Sequence, residues 1–196
     1  MKMLISQAVM SLFLLMSLTI NAHAETITPS QTKVLGLELN TVNRTDVRKQ
    51  LWDIGGFMQA KHTLKQINID IFYTWSRMRD SYYLTFRYNQ AGDVTSVERH
   101  YRPYSDDHDN DFRMLDTKRV ALKLAQTYGA PQVIRKGWGG FGTYPSYLWQ
   151  DENVKIEVDR KGSESLGDVF VRYTLLNKDP YRVVETNNND DILGRR

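Results

Sequence analysis

Cysteine is absent from all 196 residues. That excludes a disulfide staple, a thiol nucleophile and a lipid attached to a leader cysteine. Histidine is scarce, with four copies. His23 falls in the N-terminal leader, and His62, His100 and His108 form no H-x-x-x-H pair and no H-E-x-x-H motif. No serine stands in G-x-S-x-G, so the commonest marker of a hydrolase nucleophile is missing. Charge of one sign is also lacking. Twenty-six basic residues face 23 acidic ones for a formal +3. The basic pairs Arg48-Lys49, Lys118-Arg119, Arg135-Lys136 and Arg160-Lys161 are scattered among carboxylates, which describes a mixed solvated surface and not a nucleic-acid stripe. Long apolar runs are missing too, with one exception, Leu4 to Ile20.

That exception follows Met1-Lys2 and ends before Ala22-His23-Ala24, a small-x-small cleavage site. It reads as a secretory signal peptide over 1–24 with a mature start at Glu25; the competing reading is an uncleaved membrane anchor. A secreted chain without cysteine is expected to be periplasmic, or released from the cell, with no stable membrane anchor after cleavage and no nucleic-acid partner.

The central signal is Tyr82 to Tyr101. Leu84, Phe86 and Tyr88 alternate with Thr85 and Arg87, a turn follows at Asn89 to Asp93, and Val97 and Tyr101 carry the return strand. Upstream, Asn43-Arg44-Thr45-Asp46 opens a helix whose Val47, Leu51 and Ile54 share a face, and Gly55-Gly56 stops it. Ile67, Ile69 and Ile71 alternate in a strand running to Trp75. Downstream, Asp116 to Tyr128 predicts a second helix, with Val120, Ala121, Leu124, Ala125 and Tyr128 on its apolar face and Gly129 at its end. Strands are expected into Trp149, through Val154, Ile156 and Val158, and over 169–176.

The second half echoes the first. Asn43, Val47, Leu51 and Gly56 match Asp116, Val120, Leu124 and Gly129; Tyr73-Thr74-Trp75 matches Tyr147-Leu148-Trp149; Leu84 and Phe86 match Ile156 and Val158; and Gly92-Asp93-Val94 recurs as Gly167-Asp168-Val169. Near-constant spacing in a fixed order predicts an α+β fold of two tandem repeats, each a helix packed on an antiparallel sheet with a hairpin. The alternative is one continuous α+β domain. The predicted organisation is a linker over 25–34, a first unit over 35–104, an acidic linker over 105–111, a second unit over 112–178 and a polar tail over 179–196 that is expected to be disordered.

Leu35-Gly36-Leu37, Thr45-Asp46-Val47 and Gly55-Gly56 carry a resemblance. An apolar-Gly-apolar entry, a polar-Asp-Val helix start and a glycine stop before antiparallel strands resemble the small outer-membrane assembly lipoproteins of the Bam complex. Doubling of the unit is similar to the secreted β-lactamase inhibitor protein fold. The chain departs from the first in having no lipidation cysteine and from the second in having no disulfides. The resemblance implies protein binding rather than catalysis, and it assigns no binding residue.

Two further stretches could carry chemistry. Gly137-Trp138-Gly139-Gly140-Phe141-Gly142 spells G-x-G-x-x-G, but Tyr144-Pro145-Ser146-Tyr147 after it is no helix start, so no nucleotide and no cofactor is expected. Trp138, Phe141, Tyr144 and Tyr147 instead offer aromatic anchors for a partner, or packing against the sheet. Trp138 is expected to pack, and Phe141 and Tyr144 to be partly exposed. Asp107, Asp109 and Asp111 alternate as at the start of an EF-hand loop, but Phe112 stands where the loop needs glycine and Lys118 where it needs glutamate. They are a weak candidate for a divalent cation, and otherwise a solvated linker. His100 beside Glu98 reads as part of a solvated strand face. The leading expectation is a non-enzymatic protein that binds another envelope or secreted protein through its sheet face or the Gly-aromatic loop. The alternatives are a small secreted hydrolase with an unmarked site and an envelope protein that binds a small ligand or glycan.

Overall fold

A computed structural model describes residues 26–103, 114–137, 142–161 and 167–182. It is an α+β structure. After two short strands, β1 (Lys33–Val34) and β2 (Leu37–Glu38), come helix α1 (Arg44–Ile54) and four strands: β3 (Phe57–Gln59), β4 (Ile69–Thr74), β5 (Ser81–Tyr88) and β6 (Val94–Tyr101). Helix α2 (Thr117–Tyr128) and four more strands follow: β7 (Gln132–Lys136), β8 (Tyr144–Gln150), β9 (Val154–Arg160) and β10 (Val169–Leu175). All eight later strands join one antiparallel sheet in the order β3-β4-β5-β6-β10-β9-β8-β7. The last strands of the two stretches, β6 and β10, pair at its centre, with Val97 opposite Tyr173 and His100 opposite Phe170.

Both helices begin where the sequence predicts, and for the predicted reason. The Asn43 carboxamide oxygen accepts from the Thr45 and Asp46 amides at 2.8 and 3.2 Å, and Asp46 returns a bond to the Asn43 amide at 3.0 Å. The Asp116 carboxylate accepts from the Arg119 amide at 2.7 Å. Gly55 (φ 64°) and Gly129 (φ 76°) end them in the left-handed region.

Both helices cover the same side of the sheet. Val47 and Leu51 of α1, and Val120 and Ala121 of α2, join Phe72, Leu84, Phe86, Val97, Val158 and Val171 in one apolar core. Strands β5, β8, β9 and β10 contribute alternate residues to it, so their intervening side chains face away from the helices.

Several expectations change. Ile69 and Ile71 do not face the core. Phe72 pairs with Leu84 and Asp70 with Phe86, so Asp70, Phe72 and Thr74 take the helix side, while the isoleucines take the opposite one. Ile67 lies before the strand and is exposed. The strong alternation of β5 sets the phase, and β4 follows by pairing. Strands β3 and β7 are additional to the strands expected from sequence. Leu124 is half-buried where Leu51 is buried, so the two are not equivalent. Trp75 is 78% exposed just past β4, whereas its sequence counterpart Trp149 is buried within β8 and donates to the Gly129 carbonyl at 2.8 Å.

The stretch predicted as a linker is tied down from Ile27 on. Its amide donates to the Thr127 carbonyl at 2.9 Å, the Ser30 amide to the Asp151 carboxylate at 2.7 Å, and the Thr32 hydroxyl to Tyr128 at 3.0 Å. The start of the predicted tail is also held. Asn89 donates to the Asp179 carbonyl at 3.1 Å, and Arg182 lies 3.6 Å from Asp93.

Candidate functional site

The side of the sheet away from the helices has no covering element among the described residues. Register places Ile69, Ile71 and Tyr73 of β4 there, with Tyr83, Thr85 and Arg87 of β5, Glu98 and His100 of β6, Phe170 and Arg172 of β10, and Glu157 and Asp159 of β9. A depression of about 410 Å³ opens among them, with Lys161 at its rim.

Its floor is an aromatic row across four neighbouring strands. Tyr73 meets Tyr83 edge to face at 6.2 Å, Tyr83 stacks on His100 at 4.6 Å, and His100 stacks on Phe170 at 5.8 Å. The Arg172 guanidinium lies 4.7 Å from the Phe170 ring centre. Cross-strand neighbours make such contacts because they stand about 5 Å apart on one face.

A polar row runs beside it. Glu98 bonds to His100 Nε2 at 2.6 Å and accepts from Arg172 Nε at 2.7 Å and Nη2 at 2.5 Å. Lys136 continues the line to Glu157 at 2.7 Å and to Asp159. Burial opposes ionisation of Glu98, but the hydrogen bonds from His100 and Arg172 outweigh it and hold the carboxyl below its ordinary range. An ionised carboxylate only accepts, so His100 Nε2 carries the proton between them. Burial, then the charges of Glu98 and Asp168, push the Tyr83 phenol up, which keeps it protonated. His100 is only 5% exposed, so its expected place on a solvated face is corrected: it is stacked in the floor of the depression.

Glu98, Glu157 and Asp159 are each bonded to a cation. Among the described residues no cluster of three or more His, Asp or Glu could hold a metal. Asp107, Asp109 and Asp111 lie outside the described residues, as do Trp138 and Phe141.

The two remaining predicted anchors are not brought together. Tyr144 and Tyr147 sit three residues apart on β8 and so face opposite sides. Tyr144 is buried and not partly exposed; burial, then a hydrogen bond with Asp159, pushes its phenol up to about 12. Tyr147 packs half-buried against the core. The residues missed from sequence are Tyr73, Tyr83, Phe170 and Arg172 with the isoleucines of β4. Their signal was available as the second phase of each strand, opposite to the core phase. Among the described residues no helix is long and apolar enough to cross a membrane. No protein-family model, curated protein or solved structure matches this chain.

Proposed function

We propose that this chain is a non-enzymatic periplasmic or secreted protein that binds another envelope or secreted protein across the open side of its sheet. One observation carries the reading. The aromatic row Tyr73–Tyr83–His100–Phe170 lies on a sheet face without a covering helix among the described residues. Rings of this kind, fixed by their neighbours, are ordered before a partner arrives, so binding costs little side-chain entropy. The bonded state of Glu98, Glu157 and Asp159 favours binding over the hydrolase alternative. The doubling of a helix-and-four-strand unit belongs to the same proposal. It is supported by the helix-then-four-strands order occurring twice and by the shared Gly-Asp-Val at the start of β6 and β10. The resemblance to the assembly lipoproteins and the inhibitor fold agrees with a binding role, by analogy of fold alone.

The test is capture of a specific partner from envelope extract by the tagged mature chain, with two variants. Tyr73→Ala/Tyr83→Ala removes the exposed half of the aromatic row and is expected to abolish capture. Trp52→Ala, on the exposed side of α1 at 86% exposure, is expected to leave it intact. Capture that survives the first variant and is lost with the second would overturn the assignment of the face.

A further inference from the structure

The depression is not electrically neutral. Arg87, Lys161 and Arg172 line it against one carboxylate, Glu98. Glu98 is bonded to Arg172. Arg87 and Lys161 are exposed, and among the described residues neither has a carboxylate within ion-pair distance. The nearby Asp168 acts on the Tyr83 phenol, and only its backbone carbonyl is bonded to the Lys161 amide, at 2.8 Å. We propose that the depression takes an acidic, aromatic- or aliphatic-bearing segment of a partner protein, with carboxylates at Arg87 and Lys161 and an apolar side chain between them on Tyr83, His100 and Phe170. This rests on the open face being the binding surface.

Geometry selects that chemistry over a compact anion. Arg87 and Tyr83 lie on the same side of β5 four residues apart, about 13 Å at roughly 3.3 Å per residue. Lys161 lies beyond the far end of the aromatic row, immediately after β9. In the strand order β5-β6-β10-β9 that is three neighbour spacings away, about 14 Å at roughly 4.8 Å each. The two cations therefore cannot converge on one phosphate or sulfate. A peptide segment spans such a distance in a few residues and brings separate carboxylates to each end. Between the ends lie the Tyr83, His100 and Phe170 rings beside the bonded Glu98–Arg172 pair, which suits an apolar side chain and not a uniformly charged polymer. The cations steer approach and fix register, and the rings supply the buried contact.

The experiment uses the mature chain and three fluorescein-labelled probes read by anisotropy: a random glutamate–tyrosine copolymer, a lysine–tyrosine copolymer and dextran sulfate. The glutamate–tyrosine probe is expected to bind most tightly. Arg87→Glu/Lys161→Glu is expected to weaken it at least about tenfold, and Tyr83→Ala to weaken it as well. Lys49→Glu/Lys118→Glu, which changes the charge equally on the two helices, is expected to leave it unchanged. Melting curves confirm that each variant is folded. Equal binding by both charge-reversed variants, or preference for the lysine–tyrosine probe, overturns the proposal. So does binding of dextran sulfate as tight as the copolymer, which would mark a glycan-type polyanion site. If that happens while capture from envelope extract is still lost in Tyr73→Ala/Tyr83→Ala, the face binds a protein of other chemistry. If capture is indifferent as well, the binding face itself is wrongly assigned.

Discussion

Replacing Asp70 by alanine should cost more than any substitution of the neighbouring isoleucines, although Asp70 is the one charged residue between them. Asp70 is fully buried on the helix side of β4. It accepts from Arg48 Nε at 2.8 Å and Nη2 at 2.7 Å, from the Gln59 amide at 2.5 Å and from the Tyr88 hydroxyl at 3.1 Å. The bonds clamp α1, β3 and β5 to one carboxylate. Burial and the Asp70 charge push the Tyr88 phenol up, so it stays protonated and donates. Removing one member of a buried, hydrogen-bonded pair costs about 3–5 kcal/mol, because the other is left without compensation. The Arg48 side chain is 32% exposed and can turn partly to water, which places Asp70→Ala near the lower end, about 3 kcal/mol. For a chain of this size that is a fall in Tm of about 6–12 °C. Ile71→Ala, on the half-buried open side, should cost only about 1–2 kcal/mol. Urea and thermal melts followed by circular dichroism give both numbers. A cycle of Arg48→Met and Asp70→Asn should show a coupling of about 1 kcal/mol or more. The reasoning fails if Asp70→Ala melts within a degree or so of the parent while Ile71→Ala loses a core residue's worth of stability. That result would mean β4 has the opposite phase.

Leu51→Ala should cost about 2–5 kcal/mol, and half-buried Leu124→Ala distinctly less, in urea titrations; equal losses would restore the equivalence of the two positions. Glu98 should make stability pH-dependent on the acid side. Its folded pKa lies below the ordinary value of 4.5, so its contribution is complete above about that pH and is lost as pH falls through the lowered value. Glu98→Gln should flatten that part of the stability–pH curve, and an unchanged acid limb would refute the bonded state of the carboxylate.

The helices were legible because their signals are local. A cap, a glycine stop and three to five apolar residues at helical spacing lie within 13 or 14 positions. The hairpin β5–β6 was legible for the same reason. Strands β3 and β7 were not, because both are sheet edges with one neighbour, and short edges need little alternation. The phase of β4 misled because Ile67, Ile69 and Ile71 alternate cleanly, and only pairing with Leu84 and Phe86 shows which side is inward. The site was the least legible part. His100 and Glu98 stand two residues apart in the sequence, yet Phe170 and Arg172 reach them only through pairing of β6 with β10. No local pattern announces that contact.

The binding of Ile27 to Thr127, and of Ser30 to Asp151, sets an order of events during synthesis. Ile27 and Ser30 emerge first, but Thr127 and Asp151 emerge 100 and 121 residues later. The hairpin partners of the first stretch, β4 with β5 and β5 with β6, lie close by in sequence and can pair as they appear, whereas the other edge of β6 waits for β10. The leading segment can dock only after α2 and the β8–β9 turn exist, so its attachment reports that the second stretch has arrived.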